Sequence, residues 1–591
     1  MYRAPLKEIE FVLHELLGPE ALAGCQGFAD YSADLANSVL AEAARFAETV
    51  LEPLNKPGDR EGAHWSPAGV AAPAGFKEAY RQFVAGGWPQ LGASPQYGGQ
   101  PVPQILTSAV QEIWAAANLA FKLCPMLTHG AAHALALTGT VEHKRLYLPR
   151  MVSGEWTGTM VLTEPQAGSD LGLIRTQAIP EGDHYRLFGQ KIFITWGEHD
   201  YTENIIHMVL ARIEGAPAGT RGISMFIVPK VLVHADGSLG ERNEVRCVSI
   251  EHKLGIHASP TCVMAFGAEK GAVGYLVGEA NRGLEYMFIM MNTARLAVGL
   301  EGYAVAEAAF QQASDWARNR VQGKPPGGAG AAAAPIIRHP DVKRMLLGMK
   351  ASIAAMRALA LYTASRLDIA GHHHDPALRA AAQARVDLLI PIVKGWCTEL
   401  GAEIASTGIQ THGGMGYIEE TGAAQFLRDV RITSIYEGTT GIQSNDLIGR
   451  KLARDDGAAM RALIAEMRAE LGALDAPEVA ATVRAAALEG VDLLSRATHS
   501  LLGLLGSDPA RAGAVSVAYL KLCGFTIAGW LVAKTAALSA GKVAGADRDL
   551  YLGRLQAARF YAEQLLPTAF ALERIVERGS HSVVEADPRL I

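Results

Sequence analysis

Hydrophobic periodicity changes twice along this chain, and that alternation restricts the fold more than any other feature. Up to about residue 156 apolar positions recur at helical spacing, as in residues 35–51 and 104–119, with breaks at Pro53, Pro57-Gly58, Pro89 and the Tyr97-Gly98-Gly99 turn. From about Thr157 the texture becomes short β-branched and aromatic runs. His184–Thr195, with Gly189 at its centre, reads as two strands around a turn, and Ile205–Ile213, residues 223–233 and Val245–Ile250 read as further strands. Strands this short and closely spaced predict a compact β-barrel or sandwich. Helical spacing returns near Gly283 and runs to about Arg454, interrupted by the low-complexity loop GKPPGGAGAAAAP at 323–335. Residues 295–320 are rich in Ala and Gly, which suits helices packed closely together. A last Ala/Leu-rich helical block follows Asp455. The fold class expected is mainly α with a central β-barrel, divided into residues 1–156, 157–282, 283–455 and an additional helical domain at 456–591.

Charge and cysteine content narrow the function classes. A formal net charge of -6 is the wrong sign for a nucleic-acid binder, which carries a basic stripe or patch. The six cysteines (Cys25, Cys124, Cys247, Cys262, Cys397, Cys523) have no CxxC or regular spacing, which suggests neither a disulfide framework nor a zinc site and fits a reducing compartment. The opening MYRAPLKEIEFVLHELLG has no secretory apolar core, so a mature, cytoplasmic protein is expected. The uncharged run at 522–533, between Lys521 and Lys534, is too short to span a bilayer, where about 20 residues are needed, and reads as a buried helix. No G-x-G-x-x-G follows a strand, and neither a Walker A sequence nor HExxH occurs. His372-His373-His374 lies between Gly371 and Asp375-Pro376 and reads as an inter-helix turn, so no metal site is expected.

Two segments are of a different kind. Val161-Leu162-Thr163-Glu164-Pro165-Gln166-Ala167-Gly168-Ser169-Asp170 opens the β region, and Tyr436-Glu437-Gly438-Thr439-Thr440-Gly441-Ile442-Gln443 precedes a helical run. The second places a carboxylate just ahead of a helix capped by Thr439 or Thr440, where free backbone N–H groups favour anions. From spacing alone Glu437 reads as a simple helix-start carboxylate, the commoner role.

The order TEPQAGSD, KIFITWG, IQTHGGMGY, IYEGTTGIQ, set in helix–strand–helix texture over residues 30–455, resembles the acyl-CoA dehydrogenase family. The opening segment and the extra C-terminal block resemble its larger members, a subgroup that includes the 3-methylmercaptopropionyl-CoA dehydrogenases. The resemblance implies oxidation of an acyl-CoA to its trans-2-enoyl-CoA, with FAD as hydride acceptor at N5 and Glu437 as the base at the α-carbon. The base used in another branch of the family would precede Arg295, and Ala294 stands there. Thr163 and Thr195 match threonines that bond the flavin ring, and Phe193 matches an aromatic residue beside it. Ser169 matches a contact shared by flavin and the CoA pantetheine. Arg320 matches a pyrophosphate ligand, and Gln410, Gly413 and Gly414 match the loop that receives the adenosine diphosphate part of FAD from a neighbouring subunit. Thr439 and Gln443 match further cofactor contacts. Asn292, Arg295, Gly438 and Arg450 match substrate-side positions, with Arg450 one residue farther from Glu437 than in the medium-chain enzymes. The resemblance further implies a homodimer, an electron-transfer flavoprotein as acceptor, and a short or medium acyl chain or 3-methylmercaptopropionyl-CoA as substrate. An oxidase on the same fold, or a catalytically silent helical scaffold, are the alternatives.

Overall fold

The computed structural model describes residues 2–28, 30–326, 332–475 and 477–591, apart from the side chain of Glu20. The chain divides into two compact units. One comprises Arg45–Val102 and Ala117–Ala297; the other comprises the residues up to Ala44, Pro103–Ala116 and Val298–Ile591.

The first unit carries the strands. A small hairpin pairs β1 (His64–Ser66) with β2 (Gly69–Ala71). There follow β3 (Thr157–Val161), β4 (Gln177–Glu181), β5 (His184–Thr195), β6 (Ile205–Ile213), β7 (Ile223–Pro229), β8 (Val231–Val233), β9 (Leu239–Arg242), β10 (Val245–Ile250), β11 (Thr261–Phe266) and β12 (Ala272–Leu276). The order β10-β11-β5-β12-β7-β6-β3 forms one sheet, and β4 pairs with both β5 and β6. Strands β5, β12, β7, β6 and β4 therefore close a ring, and the expected barrel is present. Val161, Leu187, Val209, Phe226, Met264 and Phe266 from this sheet pack into one buried core.

Two strand expectations need correction. His184–Thr195 is one twelve-residue strand, not two strands around a turn. Its first half pairs with β4 and β12, and its second half pairs with β11. Gly189 marks that handover, where a Cβ would collide with the Thr176 side chain and lie 2.9 Å from its Cα. Residues 223–233 instead break at Lys230, whose N–H still bonds the Ile205 carbonyl at 2.9 Å before β8 leaves to pair with β9. Helix Leu119–Thr138 packs on β3, whose Gly158 permits the approach, since a Cβ there would sit 2.7 Å from Ala131 Cβ. The expected helix across 104–119 is two helices, because buried Asn118 stops the first and caps the second by accepting the Phe121 N–H at 3.0 Å.

The second unit is helical. Pro340–His372 and Pro376–His412 pack along each other across the histidine turn, and Glu478–Ser507 packs on Pro509–Ala540. The Ala/Gly composition read at 295–320 is used as a close crossing: a Cβ on Gly401 would lie 3.0 Å from Gly302 Cα. Residues 522–533 lie inside the 32-residue helix Pro509–Ala540, which extends well past the uncharged run. That helix and Pro340–His372 are each long and apolar enough to cross a membrane, and their most apolar windows are 78% and 72% buried within the protein. At the low-complexity loop, Gln322 N–H donates to Ala334 at 3.0 Å and Ala334 N–H to Gly323 at 3.0 Å; residues 327–331 of that loop lie outside the described residues. All six cysteines are free thiols.

Candidate active site

In the strand-rich unit, Thr163 is the second residue past β3, and its carbonyl accepts the Ile192 N–H at 2.9 Å. This bond ties the first motif to the end of β5, where Phe193 and Thr195 stand. The β5–β11 register slips between Cys262 and Met264, so that two β5 residues oppose one of β11. Phe193 lies in this bulge with φ of 60°, and Trp196 follows with φ of 52°. Left-handed backbone is costly for aromatic residues and marks a segment held by its surroundings. The bulge re-aims one side chain: Phe193 is 58% exposed, while its neighbours Ile194 and Trp196 are buried. Ser169 is exposed in the loop after Thr163. Asn292 is half-buried and Arg295 buried on helix Gly283–Asn319.

The anchor of this region is a pair that spacing did not single out. The Glu164 carboxylate is buried and meets Lys191 Nζ at 2.8 Å. It also accepts from the Arg175 N–H at 2.7 Å, the Thr176 N–H at 3.0 Å and Thr176 Oγ1 at 2.6 Å. Burial alone pushes its pKa up, but Lys191 and these donors outweigh it and hold the carboxyl well below the usual range. Burial pushes Lys191 down, only partly offset by Glu164. Lys191 also donates to the Leu162 carbonyl at 2.8 Å, so the pair clamps both residues flanking Thr163. Both partners lie within the two quoted motifs; one acid and one lysine, each in a β segment, is the signal that could have paired them.

In the helical unit, Glu437 is half-buried and left-handed (φ 57°), followed by Gly438 at φ 92°. The pair is locked from below. Gln443, fully buried, donates through Nε2 to the Glu437 carbonyl at 3.1 Å and the Gly438 carbonyl at 3.2 Å. Lys394, also fully buried, donates to the Gly438 carbonyl at 2.5 Å. A Cβ on Gly438 would fall 2.8 Å from Gln443 Nε2, so glycine is required by contact as well as by φ. Gln443 Oε1 is buried without a hydrogen-bond partner among the described residues. Preceding Glu437, the Tyr436 hydroxyl donates to buried Glu301; burial, then the Glu301 and Glu437 carboxylates, push the phenol well up. Lys394 lies 44 residues before Gly438, and no local pattern announces it.

Thr439 is the cap, its Oγ1 accepting the Ile442 N–H at 3.3 Å, but the α-helix it opens is only Thr440–Asp446. The chain continues as a π-turn, Leu447–Leu452. A π-turn takes one more residue than an α-turn. Arg450 is exposed, 3.8 Å from Asp446. Gln410 is exposed at the end of helix Pro376–His412, its carbonyl accepting the Gly413 N–H. Gly413 takes φ 64°, ψ -145°, a conformation confined to glycine, and a Cβ on Gly413 or Gly414 would meet nothing within 4 Å. Arg320 is exposed just past helix Gly283–Asn319.

His372, His373 and His374 do form the inter-helix turn: His374 Nδ1 lies 2.9 Å from the Gly24 carbonyl, and the His372 ring packs on Phe28. Among the described residues, no group of three or more His, Cys, Asp or Glu side chains is arranged to hold a metal ion.

Comparison with known proteins follows the same division of the chain. Residues 35–155, 159–268 and 281–453 match the N-terminal, middle and C-terminal domain models of acyl-CoA dehydrogenases, and 458–587 match an acetyl-CoA dehydrogenase C-terminal-like model. The chain is 46% identical to the 3-methylmercaptopropionyl-CoA dehydrogenase of Ruegeria pomeroyi, over 98% of each chain. It is 35% identical to a broad-specificity linear acyl-CoA dehydrogenase of Mycobacterium tuberculosis, over 99% of each. An acyl-CoA dehydrogenase from Bacillus anthracis, solved complexed with FAD, shares the fold with a TM-score of 0.75 at 20% identity, covering 96% of this chain and 91% of that one. With its helix–barrel–helix architecture, motif order and these full-length relatives, the chain belongs to the acyl-CoA dehydrogenase family of oxidoreductases.

Proposed function

We propose that the protein carries out FAD-dependent α,β-dehydrogenation of an acyl-CoA thioester, with Glu437 removing the α-proton. The observation that carries this reading is the left-handed Glu437–Gly438 pair, whose two carbonyls are held by buried Gln443 and Lys394. A carboxylate needs such fixing to act as a base, because the proton it takes is only weakly acidic and the approach must be set in advance. The residues fit FAD. Phe193 offers an exposed ring on a bulged strand, Thr163 and Thr195 are assigned as hydroxyl partners of the flavin, and Gln443 Oε1 is a buried acceptor in need of a donor. Arg320 would meet the pyrophosphate, with Ser169, Thr439 and the Gln410/Gly413/Gly414 loop as further contacts. When bound, FAD would supply the acceptor for the hydride leaving the substrate's β-carbon. Glu437 then takes the α-proton, and its backbone N–H is assigned to the developing enolate oxygen. Asn292, Arg295, Gly438 and Arg450 are assigned to the CoA ester.

A homodimer is part of this reading. Next to Gly413 and Gly414, Tyr417 is 85% exposed, Met415 45% and Ile418 43%, an apolar cluster suited to burial against a second copy. An electron-transfer flavoprotein as acceptor and a cytoplasmic location complete it, the latter supported by six free cysteines. For the substrate, the relative from Ruegeria pomeroyi favours 3-methylmercaptopropionyl-CoA or another short to medium chain. Anaerobic mixing with butyryl-, octanoyl-, palmitoyl- and 3-methylmercaptopropionyl-CoA tests it. Bleaching of the flavin by the short and medium esters is expected; flavin that none of them bleaches would refute the proposed substrates.

A further inference from the structure

The helical unit contains a cavity of about 200 Å³ away from Glu437. Its walls are largely apolar, with Phe11, Val12, Ile353, Ala354, Val532 and Ala557 among them. Phe310 and Lys350 line both this cavity and an adjoining groove of about 570 Å³, so the two are contiguous. The groove adds Ile337, Leu346, Leu347 and Phe560 as apolar lining. Together the spaces fall in the range of roughly 300–1,000 Å³ typical of small-molecule sites.

Charge is distributed unequally between the two ends. Of the charged groups that line the cavity, all but Lys350, which stands at the boundary shared with the groove, are engaged. Arg357 bonds Glu112 at 2.7 Å and Glu307 at 2.9 Å, and Arg554 bonds Glu8 at 2.9 Å. At the groove, Arg559 is held by Glu563 at 2.7 Å. Three other cations line it, Arg318, Lys343 and Lys350, and none has an ion-pair partner among the described residues. Uncommitted positive charge at the mouth and an apolar interior select an amphipathic anion with its head outside and its chain inside. A head group reversed into the cavity would find no uncommitted cation deeper than Lys350 at the shared boundary.

We propose that this cavity and groove bind a medium-length acyl chain bearing an anionic head, with the head at Arg318, Lys343 and Lys350 and the chain running past Phe310 toward Ala354. The site lies outside the residues assigned to flavin and CoA ester, so it is an additional ligand site of the enzyme. Two sources share this chemistry, a free fatty carboxylate and the phosphates of an acyl-CoA.

Calorimetric titration of the full-length holoenzyme with sodium dodecanoate tests it, with dodecanoyl-CoA as the second arm. Dodecanoate should bind once per chain, and affinity should rise about 3–4-fold per methylene from hexanoate upward until the cavity is full. Lys343→Glu and Lys350→Glu should each weaken binding at least tenfold while leaving KM for the oxidised ester unchanged. Ala354→Phe, which fills the cavity from a half-buried position, should shorten the longest chain accepted. If dodecanoate fails but dodecanoyl-CoA occupies a second site sensitive to the same charge reversals, the CoA phosphates are the head group and the proposal stands. Dodecanoate binding that ignores all three variants would overturn it, as would failure of dodecanoate together with dodecanoyl-CoA bound at the catalytic site alone. So would a change in oligomeric state in Lys343→Glu, which would place a second copy of the chain in the groove.

Discussion

Asp368 offers a quantitative test of the helical unit. Its carboxylate is buried, 2% exposed, and caps helix Gln104–Ala117 by accepting the Gln104 N–H at 2.6 Å and the Ile105 N–H at 3.0 Å. Burial pushes its pKa up to about 7, against the opposing pull of those two donors and of Arg366. A carboxyl whose folded pKa exceeds its unfolded value binds more protons when folded. Its stabilising contribution is complete below the ordinary value of 3.8 and is lost as pH rises through about 7. A rise of this size is worth on the order of 4 kcal/mol. Asp368→Asn can never ionise, but it keeps only one accepting oxygen, so it forfeits one of the two N–H caps at every pH. Urea unfolding followed at pH 4.5 and pH 8 should find the stability difference moving in the variant's favour by a few kcal/mol from acid to base, over a constant cost of about 1 kcal/mol for the lost cap. A variant less stable by the same amount at both pH values would refute the reasoning, because the residue would then serve only as a cap.

Two other substitutions separate strain from packing. Phe193→Gly removes left-handed strain from an exposed ring, so stability should rise by about 1 kcal/mol while FAD affinity falls at least tenfold, read by thermal unfolding of the apoprotein and by flavin titration. Arg357→Met leaves buried Glu112 without its cation and should cost about 3–5 kcal/mol in chemical denaturation, with Glu307→Gln milder because Arg357 then still keeps Glu112 at 2.7 Å.

What the sequence disclosed, and what it withheld, follows from the range of each interaction. Helical runs such as Pro340–His372 and strands such as Ile205–Ile213 are legible because periodicity is local. Glu437, Gly438 and Thr439 are legible because they sit in one motif, and Thr439 caps as its position implied. His184–Thr195 was misread because a central glycine signals a turn, whereas Gly189 serves here to admit Thr176 from another segment. The φ of Phe193 depends on a bulge opposite β11, about seventy residues on, which no local pattern expresses. Lys394 is invisible for the same reason: a lysine in a long helix acquires meaning only when Gly438 arrives against it.

The central claim rests on one carboxylate, so the decisive measurement is the rate of anaerobic flavin bleaching in Glu437→Gln with the best acyl-CoA found. The account predicts a yellow protein that binds the ester normally and bleaches at least about 100-fold more slowly than wild type. Bleaching within tenfold of the wild-type rate would show that another group takes the α-proton and would contradict it.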